Sequence, residues 1–239
     1  MKKIRVRFSK HGAVRYIGHL DVMRYFQKTI RRAKINVSYS GGFSPHQIMT
    51  FAAPLGVGQE SDGEYMDLGI EDEIPDTVHI KDALNESSVP GIRILSVKLL
   101  PDDAGNAMAS VFASSYEVTF AADKKALCPD KEKMSELLQK ASQLDHMIYH
   151  KETKKTSRDI DLKEFIYDIG LKEDESDIPT IYMTVNSSSA DSIKPAFVME
   201  FICSLADITL PVNSLRITRL DMFTTDDNGK MISLGDIGE

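Results

Sequence analysis

The alternation of apolar and polar positions divides the chain into short strands and helices. Lys2–Ser9 sets Ile4, Val6 and Phe8 on one side and Lys3, Arg5 and Arg7 on the other, the period of two expected of a half-buried strand. From about His19 to Lys34 the period becomes helical. Met23, Phe26, Ile30 and Ala33 share one face with Leu20 at its margin, and Arg24, Lys28, Arg31 and Arg32 gather opposite. Asn36–Tyr39 reads as an interrupted strand, and Ser40–His46, with two glycines and a proline, as a turn. Ile48–Ala53 is extended, Glu64–Ile70 a strand, Thr77–Asn85 a helix and Gly91–Leu100 a strand. This β-α-β-β-α-β order predicts a split-βαβ, ferredoxin-like unit: two helices cover one face of an antiparallel sheet, and the other face stays free or meets a partner.

Pro101–Ser110 is small, polar and glycine-containing, and reads as a linker. Beyond it the order recurs, with strands at Ser115–Phe120, Met147–His150, Thr180–Val185 and Leu215–Phe223. Helices are expected at Lys131–Leu144, with Met134, Leu137, Leu138 and Ala141 inward, and at Ile193–Leu205, opened by Pro195. Ile160–Gly170 is ambiguous between strand and short helix. The expected class is therefore α+β, with two tandem ferredoxin-like domains over 1–103 and 112–239. No residue-level repeat links them.

Composition changes this picture little. At 239 residues, 42% hydrophobic and 27% charged, the chain can bury a core in each half. No apolar run reaches membrane-spanning length, and the start lacks the apolar core of a signal peptide, so a cytoplasmic protein is expected. Cys128 and Cys203 are too few and too far apart for a disulfide framework or a metal cluster, and read as reduced thiols.

Charge changes it more. Residues 1–50 hold eleven Lys and Arg against one acid, Asp21, whereas the other 189 positions hold 18 basic residues and 35 acids. A basic face can bind phosphates locally although the whole chain carries −7. The alternatives are that the two segments compensate one another or that the helix face is simply solvated. The candidate phosphate contacts are Arg5, Arg7, Arg15, Arg24, Arg31 and Arg32. Lys194, at a helix start, joins Lys154, Lys155 and Arg158 in a smaller basic set. Tyr39, Phe43 and His46 in the glycine–proline turn, with His19, are candidates for stacking on or orienting a ligand, or for filling a core.

Catalytic and metal signals are weak. His146 and His150 have i, i+4 spacing but sit in an expected strand, and no phosphate-loop or dinucleotide fingerprint is present. The Lys172–Asp177 run reads as a solvated loop. An enzyme built on His19 and His46 with Asp21 or Glu64 requires those groups to converge.

At RVRFSKHGAVRYIGHLDVMRYFQKTIRRA (Arg5–Ala33) and YSGGFSPHQIMTFAAPLGVGQESDGEYMD (Tyr39–Asp67) the sequence resembles the radical SAM-linked domain family. KKTSRDIDLKEFI (Lys154–Ile166) and SIKP (Ser192–Pro195) resemble it more weakly. This is a bacterial family of unknown function, whose members are fused to a radical SAM protein or encoded beside one. The resemblance implies a radical SAM partner that carries an iron–sulfur cluster and S-adenosylmethionine, with no cofactor in this chain. Where the family usually shows Asn-Pro-His-Pro, this chain has Ser44-Pro45-His46-Gln47. The expected function is an accessory protein that binds RNA, with tRNA as one candidate, or another phosphate-bearing substrate for that partner. The alternative is a protein–protein docking module without nucleic-acid contact.

Overall fold

The computed structural model of the protein describes residues 1–152 and 157–239. Its elements are, in order, β1 (Lys2–Lys10), α1 (His19–Arg32), β2 (Met49–Phe51), β3 (Glu60–Ile70), α2 (Thr77–Glu86), β4 (Ile92–Leu99) and the short α3 (Ala107–Ser110). They continue with β5 (Ala113–Phe120), α4 (Lys131–Ser142), β6 (Ile148–Glu152), β7 (Ser157–Asp161), β8 (Ile166–Leu171) and β9 (Thr180–Asn186). The last are α5 (Pro195–Ser204), β10 (Leu215–Thr225) and β11 (Met231–Ser233). The protein is mixed α+β. It forms two compact units, Met1–Ala113 with Arg219–Glu239, and Ser114–Thr218.

In the first unit the strand order is β4-β1-β3-β10, with β2 also pairing β3 and β11 pairing β10. β1 runs antiparallel to both neighbours, Val6 lying opposite Met66 and Val97. Ile4, Val6 and Phe8 thereby join Met66, Leu68 and Ile94 in one core with Phe26 and Ile30 of α1 and Ile80 and Leu84 of α2. The apolar face of α1 is rotated from the expected one. Val22, Phe26, Thr29 and Ile30 are buried, Met23 and Ala33 are only partly so, and Leu20 is exposed. Thr29 tolerates burial because its hydroxyl donates to the Tyr25 carbonyl.

The opposite face of this sheet, expected to stay free or to meet a partner, is covered by the chain itself. Tyr65 packs there with Ala107, Val111, Met222 and Leu234. Pro101–Ser110 is therefore no plain linker: Ala107 is fully buried, and its N–H donates to Asp67. Nor does the chain beyond 112 stay in one unit. Arg219–Glu239 returns to the first, because β10 pairs β3 and its Arg219 meets Glu64 of β3 at 2.6–2.8 Å. Both charged side chains are almost completely buried.

The second unit orders its strands β10-β5-β9-β8, using the first residues of β10. α4 contributes Met134, Leu137 and Ala141 to its core, and α5 contributes Val198, Met199 and Ile202. The ambiguous stretch from Ile160 to Gly170 contains the end of β7, a 3-10 turn at Leu162–Phe165, and β8. β6 and β7 form a separate two-stranded antiparallel hairpin.

Removing one partner of a buried ion pair leaves an uncompensated charge, whereas replacing both with apolar groups costs far less. Arg219→Met is therefore expected to destabilise the protein by about 3–5 kcal/mol. The double variant Glu64→Leu/Arg219→Met should recover part of that loss in urea denaturation, the remainder reflecting buried Lys10, which then lacks the Glu64 carboxylate that favours its charge.

Candidate functional site

The first fifty residues separate into an inward and an outward set of cations. Arg5 belongs to the inward set. It is 2% exposed, its Nε and Nη2 donate to the two oxygens of Asp67 at 2.8 and 2.9 Å, and its Nη1 donates to the Leu234 carbonyl. The expectation that Arg5 contacts phosphate is corrected by that burial: a two-toothed pair with Asp67 leaves no face for a ligand. Lys10 is also inward, donating to the Ile17 carbonyl at 2.9 Å. Burial holds its ammonium below the usual lysine range, although Glu64 opposes the shift.

Arg7 and Arg15 are half-buried and already engaged. Arg7 donates to the carbonyls of Asp62 and Leu220, stands 3.8 Å from Asp221 and lies over the Tyr65 ring. Tyr65 in turn donates to Asp221, and Ser233 donates to the other oxygen of the same carboxylate at 2.8 Å. Arg15 donates to Glu60 at 3.1 Å and to the Tyr16 hydroxyl. Beside it the ring of His11 sits between two carboxylates, Nε2 at 2.7 Å from Asp62 and Nδ1 at 3.5 Å from Glu60.

The sequence reading missed these acids. Glu60 and Asp62 are the first and third residues of β3, which it began at Glu64. The available signal was the alternation of acids in ESDGEYMD opposite a strand that alternates cations.

The outward set lies on α1. Arg24 is 70% exposed and only loosely paired with Asp21, at 3.4 Å. Arg31 donates to the Gln27 carbonyl, and Arg32 to Thr29 and the Ser87 carbonyl, both with exposed side chains. Lys28 and Lys34 are exposed and make no ion pair among the described residues. Steps of three and four place Arg24, Lys28 and Arg31 along one stripe.

The turn after α1 is built to present its tip. The Ser40 N–H donates to the His46 carbonyl, and the His46 N–H donates to the Ser40 hydroxyl at 3.1 Å. That hydroxyl lies 2.8 Å from His46 Nδ1. With Ser40 donating to Nδ1, the exposed imidazole offers Nε2–H to solvent. Gly42 has φ +96°, a backbone conformation that favours glycine, and the next residue, Phe43, is completely exposed. Tyr39 is half exposed at the base of the turn.

His19 lies elsewhere. It meets Phe51 edge to face at 5.5 Å and lines a cavity of about 10 Å³ with Lys10, Glu64, Phe8, Val22 and Leu55. His19 and Glu64 thus converge, but His46 and Asp21 do not line that cavity, and its volume is that of about one water. The arrangement required for an enzyme built on His19 and His46 is absent there.

In the second unit Lys194 stands at the N-cap of α5, and its Nζ lies 5.6 Å from the centroid of Phe197. Lys151 approaches the same ring at 5.4 Å, and Tyr149 stacks on it at 4.8 Å. Arg158 is exposed on β7, while Lys154 and Lys155 lie outside the described residues. His146 and His150 pair with Asp161 and Asp159, at 2.6 and 2.7 Å. Burial pushes the Cys203 thiol up to about 12 and raises that of Cys128, which disfavours the thiolate at both.

Fold and site together define a mixed α+β protein with an exposed cationic helix and a projecting aromatic turn. The chain matches the family described as "Uncharacterized protein conserved in bacteria (DUF2344)" over residues 3–195, and it belongs to that family. No curated protein matches its sequence. Two solved structures similar to it are "Structure of H/ACA RNP bound to a substrate RNA containing 2'-deoxyuridine" and "Crystal Structure of a Cbf5-Nop10-Gar1 Complex". The first is 8% identical over 90% of this chain and 46% of that one, with a TM-score of 0.42. The second is 11% identical over 98% and 53%, with a TM-score of 0.44. The chain spans about half the length of these proteins, and likenesses of this grade bear on neither its function nor its detailed topology.

The His11 cluster has a pH signature. Burial lowers the imidazole's affinity for a proton, but Asp62 and Glu60 together outweigh it and raise the pKa above the usual value near 6.5. The stabilisation is fully present below that value and is lost as pH rises through the folded-state pKa. Unfolding midpoints between pH 5.5 and 8.5 should therefore show a fall with rising pH that His11→Gln removes.

Proposed function

We propose that this protein is a cytoplasmic accessory protein that binds RNA, or another polyphosphate-bearing substrate, through the outward face of α1. The observation that carries this reading is the exposure of Arg24, Lys28, Arg31, Arg32 and Lys34 on one short segment, with Asp21 the one acid of α1. Ammonium and guanidinium groups placed this way release counterions from a phosphate backbone and give affinity without base specificity. Phe43 and Tyr39 supply rings for base stacking, and His46 an exposed N–H. Arg15, half-buried on Glu60, contributes little to this surface, and Lys194 belongs to a separate basic group in the second unit.

Each unit is read here as a ferredoxin-like domain. The orders β4-β1-β3-β2 and β10-β5-β9-β8, each with two helices over the sheet, support it. The partner in this reading is a radical SAM protein, which would supply the iron–sulfur cluster and S-adenosylmethionine. Support for that partner comes from the resemblance of the Arg5–Ala33 and Tyr39–Asp67 motifs alone.

The complete exposure of Phe43 favours a second reading, a docking module for that enzyme, because uncovered aromatics mark protein interfaces as well as stacking sites. Co-purification with the partner that survives nuclease treatment distinguishes it.

Binding of a single-stranded RNA, followed by fluorescence anisotropy, tests the main reading. The logarithm of affinity should fall with the logarithm of salt by roughly 0.7 per phosphate neutralised, hence a slope near −3 for four contacts. The double variant Arg24→Glu/Arg31→Glu should weaken binding more than tenfold at low salt, while Phe43→Ala should weaken it without changing the slope. A flat salt response overturns the reading.

A further inference from the structure

We propose that the first unit binds a small carboxylate with an apolar body, in the cavity beside Gly69. The cavity measures about 190 Å³ and is lined by Lys3, Ile48, Thr50, Asp67, Leu68, Gly69 and Asn106. Sheet register explains its position. Lys3 of β1 lies opposite Gly69, and Thr50 of β2 lies opposite Asp67, so two polar side chains stand beside successive same-face positions of β3, one of which has no side chain. A Cβ at 69 would approach Ile48 to 3.2 Å and the Met1 sulfur to 2.9 Å, so the glycine lets these two apolar side chains close down on β3 at the edge of the cavity.

The polar groups form a donor set. Asp67 brings a carboxylate to the wall, but both its oxygens are held by Arg5, at 2.8 and 2.9 Å, and one also accepts from the Ala107 N–H. That pair is neutral. Lys3 makes no ion pair among the described residues, so the cavity keeps one uncompensated positive charge. Asn106 accepts from the Met108 N–H through Oδ1, which leaves its NH₂ to donate, and Thr50 adds a hydroxyl.

One ammonium and two neutral donors match the charge and lone pairs of a monoanionic carboxylate better than those of a phosphate dianion, which calls for more cations. Ile48, beside Gly69, supplies the apolar wall that a hydrocarbon body requires, while Leu68 reaches the cavity only through its backbone because its side chain lies in the core on the other face. The site is separate from the α1 stripe and does not rest on the RNA reading.

Amide NMR titrations with acetate, isovalerate and inorganic phosphate test it. Isovalerate should bind saturably with shifts centred on residues 3, 50, 69 and 106, and tighter than acetate by about fourfold per buried methylene. Lys3→Met should weaken isovalerate at least tenfold with an unchanged melting temperature, and Lys3→Arg should retain most of the affinity. The α1 variant Arg24→Glu/Arg31→Glu should leave it unchanged. No saturable isovalerate binding, equal binding by Lys3→Met, or tighter binding of phosphate overturns the proposal.

Discussion

The first unit depends on one constraint: charges enclosed on or between its strands must be paired. Arg5 lies against Asp67, and Arg219 against Glu64, all four at less than one-tenth exposure. In low dielectric, an unpaired ion at any of these positions would carry a desolvation penalty of several kcal/mol. Glu64 and Arg219 are 155 residues apart in the chain, so their pairing specifies which late strand lies against β3. Pairing of this kind adds little net stability over an apolar alternative. What it does is penalise every arrangement in which β10 is elsewhere.

The same constraint divides the basic N-terminal segment into two populations with different roles. The cations of β1 and the turn after it face acids or carbonyls of their own unit, as with Arg5, Arg7, Lys10 and Arg15. The cations of α1 are held more loosely, Arg24 by Asp21 at 3.4 Å and Arg31 and Arg32 by carbonyls, since the helix buries its apolar side and turns the rest outward. A charge imbalance spread evenly along residues 1–50 is therefore strongly polarised in space, and the α1 cations and Lys3 of β1 are the part of it left, among the described residues, without a carboxylate held at close range.

How far this was legible depends on the interaction that sets each feature. The helical period of 19–34 is local, and α1 appears at His19–Arg32 with its basic stripe outward as expected. The longer elements were legible for the same reason, whereas the short α3 and β11 were not, Ile160–Gly170 stayed ambiguous, and Asn36–Tyr39 forms only isolated bridges and no strand. Arg5 was not, because strict alternation of apolar and basic residues is also the pattern of a strand with one wet face. Only the cover formed by Ala107, Val111, Met222 and Leu234 makes the second face dry, and these residues lie more than a hundred positions away. The return of Arg219–Glu239 to the first unit was hidden likewise, since no local pattern around 219 states which strand it will pair. The burial of Ala107 shows how weak a linker signal is when it rests on small and polar residues alone.

Within the outward set, the fold accounts for some cations better than for others. Arg31 and Arg32 occupy the last turn of α1, where positive charge complements the partial negative charge of the free carbonyls, and both donate to carbonyl oxygens there or in Ser87. Their presence has a structural reason whether or not a ligand exists. Arg24 and Lys28 lie one to two turns earlier, beyond the reach of that terminal field. Arg24 holds Asp21 only at 3.4 Å between two largely exposed side chains, a pair of small energetic weight. Stability alone gives no reason for two cations and no intervening acid at those positions. The Ser40–His46 clasp separately fixes the turn that carries an uncovered phenyl ring, and a pre-ordered turn loses little entropy when a partner arrives. The proposed recognition therefore rests more on Arg24, Lys28 and Phe43 than on the last turn of α1.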